Sequence, residues 1–219
     1  VIKHLLTLLG IVLLSGCQTT SELPGEKDPQ NPWWSLEFVG PLYMVGWVED
    51  SGVEDIHGRL FKHGSGGGIG FGEYGYETER ARGWPPGLGG LINGIVGADM
   101  PKRIYVRWQS VVEPQTYRAW VDIPEEARQI MRLSTASRCP ERPEQPANYR
   151  ATLYLGLAPG GIIQVWVRDN CFKAIKVARA QAEVEPLGPH LGKSGGHYYP
   201  QPESSKRYIE QYGIPYGSW

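Results

Sequence analysis

Between Arg103 and Ile123 the chain alternates apolar and polar residues twice in succession, and this constrains the fold more than any other stretch. In Arg103-Ile104-Tyr105-Val106-Arg107-Trp108-Gln109, a strand puts Ile104, Val106 and Trp108 on one face. Arg103, Arg107 and Gln109 fall on the other, joined there by Tyr105. Successive side chains of a strand point to opposite faces, so one face is apolar and the other polar. Gln115 to Ile123 repeats the pattern, with Tyr117, Ala119, Val121 and Ile123 on one side. Val112-Glu113-Pro114 supplies the bend, which predicts an antiparallel hairpin over a core.

Further strands are expected around the hairpin. Trp33–Val39 and Tyr43–Val48 are split by Gly40-Pro41, and Asp55–Phe61 is a candidate third strand. Tyr149–Leu157 and Ile162–Arg168 are split by Pro159-Gly160-Gly161, and Phe172–Val184 follows the turn at Asp169-Asn170. Pro124-Glu125-Glu126 opens a short helix, since Pro suits the first turn and acids suit the positive end of the helix dipole. Ser204–Tyr212 reads as a second helix, ended by Gly213 with Pro215 beyond it. Gly64–Gly97 holds no period for long. It is expected to be a long loop, with a short edge strand near Ile69–Tyr76 or a short helix near Leu91–Val96. With 29 Gly, 18 Pro, 8 Trp and 12 Tyr in 219 residues, short strands and turns dominate. The expected fold is β-rich α+β: antiparallel sheets or a sandwich with one or two short helices, as one globular domain over 33–219.

The first residues are an address. Lys3 gives a positive start, and Leu5 to Leu14 is apolar except for Thr7 and Gly10. As a helix this stretch spans about 15 Å, half of a hydrocarbon core, which suits a signal peptide and not a membrane span. Leu14-Ser15-Gly16-Cys17 resembles a bacterial lipobox. The expectation is a lipoprotein signal peptide over 1–16, a lipidated Cys17, and a polar, Pro-rich tether to residue 32. Among bacterial lipoproteins an Asp after the lipidated cysteine favours inner-membrane retention. Gln18 stands there, so the resemblance implies an outer-membrane anchor on the periplasmic face. Three acyl chains would hold the protein permanently. Cys139 and Cys171 are then an even pair in an oxidising compartment and a disulfide candidate, the alternative being two buried thiols.

Charge and motifs exclude more than they assign. Lys and Arg total 22 against 23 Asp and Glu, with no basic run, so no nucleic acid is expected as a partner. Gly70-Phe71-Gly72-Glu73-Tyr74-Gly75 matches a dinucleotide fingerprint, but no helix can follow it to face a pyrophosphate. Ser65 lacks the glycine two residues before it that a nucleophile elbow needs. His57 and His63 with Asp55 could ligate a metal, although their spacing fits no zinc signature. The sequence therefore predicts a protein that is not an enzyme, with no cofactor and no metal.

What remains is surface. Glu73, Tyr74, Tyr76, Glu77 and Glu79 decorate the glycine-rich segment, with Trp84 near its middle. Tyr198, Tyr199, Tyr208, Tyr212, Tyr216 and Trp219 crowd the C-terminal stretch. Tyr and Trp bury much area with few rotors, so they serve as interface anchors; the plainer reading packs them back on the domain.

The run from Pro101 to Arg128, with its W-x-S-x-x-E-x-x-x-Y hairpin behind a lipobox and Trp33-Trp34, resembles a family of uncharacterised proteobacterial lipoproteins catalogued as a domain of unknown function. Its members are similar to periplasmic immunity lipoproteins encoded beside type VI secretion phospholipase effectors. The resemblance implies a lipid-anchored immunity protein that binds and inhibits a lipase toxin. Glu73, Glu77 and Glu79 would then steer the toxin, and Tyr74, Tyr76 or Trp84 would anchor it. The competing expectation is a structural or assembly lipoprotein of the envelope that binds protein or glycan.

Overall fold

The computed structural model describes residues 33–77, 82–89, 93–95, 97–136, 138–144, 150–169 and 171–219. The alternation at Arg103–Ile123 forms the hairpin β6 (Pro101–Ser110) and β7 (Gln115–Asp122). Ile104 faces Val121, Val106 faces Ala119 and Trp108 faces Tyr117. The chain's other strands are β1 (Trp33–Val39), β2 (Gly46–Asp55), β3 (Leu60–Lys62), β4 (Gly67–Ile69), β5 (Asn93–Gly94), β8 (Arg150–Ala158), β9 (Ile162–Arg168), β10 (Ala174–Gln181) and β11 (Glu183–Val184). They form two sheets. The first runs β10-β9-β8-β1-β5; the second runs β11-β7-β6-β2-β3, with β4 also on β2. Among the described residues every strand pair is antiparallel except β1 with β8. With α1 (Glu125–Ala136) and α2 (Glu203–Tyr212), this is the β-rich α+β class expected.

The main core lies between the sheets. Trp34 and Leu36 of β1, Leu153, Leu155 and Leu157 of β8, and Ile163, Val165 and Val167 of β9 meet Val48, Ile104, Val106, Trp108 and Val121 of the second sheet. Ala127 and Met131, one turn apart on α1, join the same core.

The first sheet is buried on its outer face too. Val39, Tyr154 and Trp166 there pack under Trp84 and Leu88 of the glycine-rich segment. This explains why β8 reads as a nearly continuous apolar run.

Part of the outer face of the second sheet, around Glu49 and Gln109, is covered by the segment after β11. Glu49 accepts hydrogen bonds from Arg107 Nε at 2.8 Å, Gln109 Nε2 at 2.8 Å and the backbone N–H of His190 at 2.7 Å. Its side chain is only 1% exposed. Gln109 Oε1 in turn accepts from the Tyr199 N–H at 3.0 Å, and Tyr199 stacks on Trp47 at 4.2 Å.

Several local expectations are corrected. The strand expected at Tyr43–Val48 begins at Gly46 and runs on to Asp55. Pro41–Met44 is a turn, closed by the Met44 N–H on the Pro41 carbonyl, with Tyr43 at φ 67°. The strand expected from Asp55 shrinks to Leu60–Lys62, because the Asp55 carboxylate accepts the N–H groups of His57 and Arg59 and fixes a turn. The edge strand expected at Ile69–Tyr76 ends at Ile69 instead of starting there. The helix option at Leu91–Val96 is replaced by β5, paired to β1 through Ser35 and Gly94.

Cys139 and Cys171 form a disulfide that closes a separation of 32 residues. A loop of that size corresponds to roughly 3–4 kcal/mol by chain entropy. The double change Cys139→Ser, Cys171→Ser should lower the melting temperature by roughly 7–15 °C in calorimetry. Wild-type protein should show neither thiol alkylated before reduction. Glu49→Ala should cost about 3–5 kcal/mol in denaturant unfolding, because it leaves the buried Arg107 without its carboxylate.

Candidate partner-binding surface

At the end of the sandwich opposite Trp33, three turns converge: Gly40–Val45, Val111–Pro114 and Pro159–Gly161. Glu113 ties them. Its carboxylate accepts the Gly160 N–H at 2.8 Å and the Tyr216 hydroxyl at 2.6 Å. Tyr216, from the end of the chain, is thereby fastened to both turns. Burial and this hydrogen bond to Glu113 push the Tyr216 hydroxyl up to about 12.

Tyr43 is the second hub. Its ring stacks on Tyr208 of α2 with centroids 4.8 Å apart and planes 6° from parallel. Its hydroxyl donates to the Glu73 carbonyl at 3.2 Å. The ring lies where a Cβ on Gly72 would stand, 2.1 Å away, so only glycine lets the segment pass this closely. One residue before Tyr208, Arg207 stands over the Tyr74 ring at 5.0 Å and lies 3.4 Å from Glu77. The glycine-rich segment and α2 thus form one surface, held by Tyr43 below and Arg207 above.

The expected site residues fall into distinct groups. Tyr74 and Tyr76 are 60% and 69% exposed, and Glu73 is exposed beside them. The Glu77 side chain is 5% exposed; backbone N–H groups of its own loop and Arg207 hold its carboxyl below the usual range. Glu77 therefore builds the loop. Trp84 lies edge-on to Trp166 at 5.1 Å over the first sheet, in space left by the missing Cβ of Gly156. It is half-buried and packs the segment down. Glu79 and Cys17 lie outside the described residues.

Sequence reasoning missed a cleft of about 300 Å³ beside this surface, lined by Phe38, Leu42, Ile69, Phe71 and Pro85 over a backbone floor at Gly66–Gly70. Its signal was the run of glycines itself: Cβ atoms at Gly66 and Gly70 would meet Phe38 and the Met44 carbonyl at 2.4 Å each. These glycines let the floor of the cleft pack directly against the domain, where a Cβ would collide with it. Arg207 and Glu113 were missed as well, because their partners Tyr74, Gly160 and Tyr216 lie 47 or more residues away in sequence.

The chemistry weighed for the histidines is not assembled. Asp55 is taken up by its turn and by Arg59, and the ligand atoms of Asp55, His57 and His63 form no metal-sized group. His57 pairs with Asp99 at 3.0 Å, and Ser65 donates to the Val48 carbonyl at 2.7 Å. The Gly70–Gly75 motif follows a short strand and leads into a turn, and no helix follows it among the described residues up to Glu77.

A family model described as a protein of unknown function, DUF2931, matches residues 18–217. The chain belongs to that family. No curated protein and no solved structure matches it.

The Tyr216–Glu113 bond makes a pH prediction. A hydroxyl with a folded pKa near 12 and an unfolded pKa near 10 adds stability below about pH 10 and loses it as pH rises toward 12. Thermal melts should fall across that window, and Tyr216→Phe should flatten part of the fall.

Proposed function

We propose that this chain is a lipid-anchored periplasmic immunity protein that binds and inhibits a lipase toxin delivered by type VI secretion. What supports the reading is a lipobox-like stretch before one end of the domain and exposed tyrosines at the other. The lipobox and tether lead into β1 at Trp33, while Tyr74, Tyr76 and the glycine-floored cleft occupy the far end. Exposed tyrosines on a braced loop are good anchors, because their backbone is already ordered before binding. Glu73 beside them gives the surface an acidic rim that speeds encounter with a basic partner. Anchoring on the outer membrane would hold the inhibitor at high effective concentration near the lipid a lipase attacks.

The lipase encoded beside this gene, mixed with the chain from Gln18 on, should lose phospholipid hydrolysis at equimolar inhibitor. Undiminished hydrolysis at molar excess sinks the reading. Replacing whichever of Tyr74 and Tyr76 is the true anchor by Ala should weaken inhibition about thirtyfold, equivalent to about 2 kcal/mol. Glu73→Ala should slow association and weaken its salt dependence.

One observation favours the envelope-assembly reading. On the outer face of the second sheet, Tyr105 and Trp120 stand side by side with centroids 5.4 Å apart, and the Arg103 guanidinium lies 4.4 Å from the Trp120 ring. Gly52 opens a gap between them and Lys62. Such a platform suits stacking on a sugar ring. Retention on peptidoglycan sacculi that Trp120→Ala abolishes would favour this reading.

A further inference from the structure

We infer that the end of the domain at which the chain enters is a bilayer-facing surface, with Phe172 as the side chain that enters an anionic phospholipid interface. The inference rests on the anchored reading above for its biological setting, but its chemistry is independent of the toxin.

Topology gathers this end. β1 starts at Trp33 opposite Arg150, the start of β8, and the last residue of β9, Arg168, faces both Thr152 and Ala174. The β9–β10 turn is therefore at the end where the tether joins. The second sheet presents its β2–β3 turn there too, since Trp34 Nε1 donates to the Asp99 carbonyl and Ile56 N–H to that of Met100.

The turn is built to project Phe172. The Asp169 carboxylate accepts the N–H groups of Cys171 at 3.0 Å and Lys173 at 2.7 Å, and the Phe172 N–H donates to the Asp169 carbonyl. Cys171 is bonded to Cys139. Phe172 sits at φ 62°, 47% exposed, and the fixed turn denies it a route into the core. Arg142 and Arg168 flank its ring at 6.0 and 5.2 Å.

Two more exposed apolar side chains at or near this end have basic neighbours in sequence: Ile56 in the β2–β3 turn near Arg59, and Leu133 on α1 beside Arg132. Arg59 and Arg132 are paired with Asp55 and Glu125, and two acidic groups near the tip are engaged. Glu141 pairs with Lys173 at 2.6 Å, and Asp169 is bound to its turn. An apolar tip flanked by Arg142 and Arg168 matches a bilayer interface, where the ring meets the acyl boundary and guanidinium groups meet phosphates. At the opposite end the exposed Tyr216 bonds to Glu113, and Arg207 over Tyr74 lies 3.4 Å from Glu77.

The tether adds the remaining constraint. Fifteen residues, 18–32, separate Cys17 from β1, and a chain of that length reaches at most about 50 Å, which keeps this end within reach of an anchoring membrane. A weak contact at Phe172 would then set the orientation. The ten residues of β6 measure about 33 Å, so a toxin seated at the far end would be held off the lipid by that length.

The test uses the chain from Gln18 on, which has no acyl chain but contains every described element and the whole core. It is floated with vesicles of phosphatidylglycerol and phosphatidylethanolamine, and with vesicles of phosphatidylcholine. Binding is expected to the anionic vesicles, at least fivefold weaker on phosphatidylcholine and weakened by 0.5 M salt. Phe172→Gly keeps the turn, because glycine accepts its φ, and should cut the bound fraction at least fivefold with an unchanged melting temperature. Arg142→Glu should do the same, and Tyr74→Ala should not. Wild-type protein that stays unbound, or binding unaffected by both tip variants, overturns the proposal. So does self-association without vesicle binding that Phe172→Gly abolishes, which would reassign the tip to a contact between copies. No lipase and no lipid anchor enter this assay, so its failure leaves the immunity reading standing, and failed inhibition leaves this one standing.

Discussion

The carboxylate of Glu49, placed against Arg107 and Gln109, gives the second sheet a polar outer face that must be covered and supplies the means of covering it. A guanidinium and an amide taken from water need partners, and Glu49 satisfies both. It has acceptor capacity left, which it spends on the His190 backbone. That bond and the one from the Tyr199 N–H to Gln109 draw the chain after β11 across the sheet. The chain then arrives at the far end, where α2 can place Tyr208 under Tyr43. Without this polar seam the C-terminal stretch would have little reason to lie there, and the tyrosine surface would lose half of its frame.

What could be read from the sequence was what is local. The β6–β7 hairpin announced itself because both strands alternate and the bend lies between them. α1 and α2 carried their own punctuation: Pro124 and two glutamates at the start of one, Gly213 and Pro215 at the end of the other. The disulfide followed from a count, once Cys17 was set aside. The parallel pairing of β1 with β8 could not be read, since its partners are more than a hundred residues apart and no local signal marks it. In β2, Glu49-Asp50-Ser51 is a polar run with no apolar alternation to carry a strand past Val48. The buried partners that make those residues a strand are on β6 and beyond β11.

The candidate surface was legible in part, for the same reason. The exposed pair Tyr74 and Tyr76 was found from residue type, while the roles of Glu77 and Trp84 depend on distant partners. An acid in a polar loop looks like a solvated charge until Arg207 is seen above it. A tryptophan in a glycine run looks like an exposed anchor until Gly156 and Trp166 are seen beneath it. The glycines themselves are where the segment touches the domain most closely. Rings and carbonyls lie in the space their missing Cβ atoms leave.

The hairpin motif that carries the family resemblance is internal to the scaffold. Trp108, Ser110 and Tyr117 are buried, and Glu113 fastens the β8–β9 turn and Tyr216. A motif of that kind reports how the domain is built, and it would persist whatever the domain binds. Binding specificity must then be written in residues the motif omits and the fold leaves exposed. The glycine-rich segment meets both conditions: it is pinned by Tyr43, Arg207 and Trp84, and between those pins it displays Tyr74 and Tyr76. A scaffold fixed by distant polar contacts can change the residues between the pins without losing its frame, and under the proposed immunity reading that would let the surface follow a changing partner.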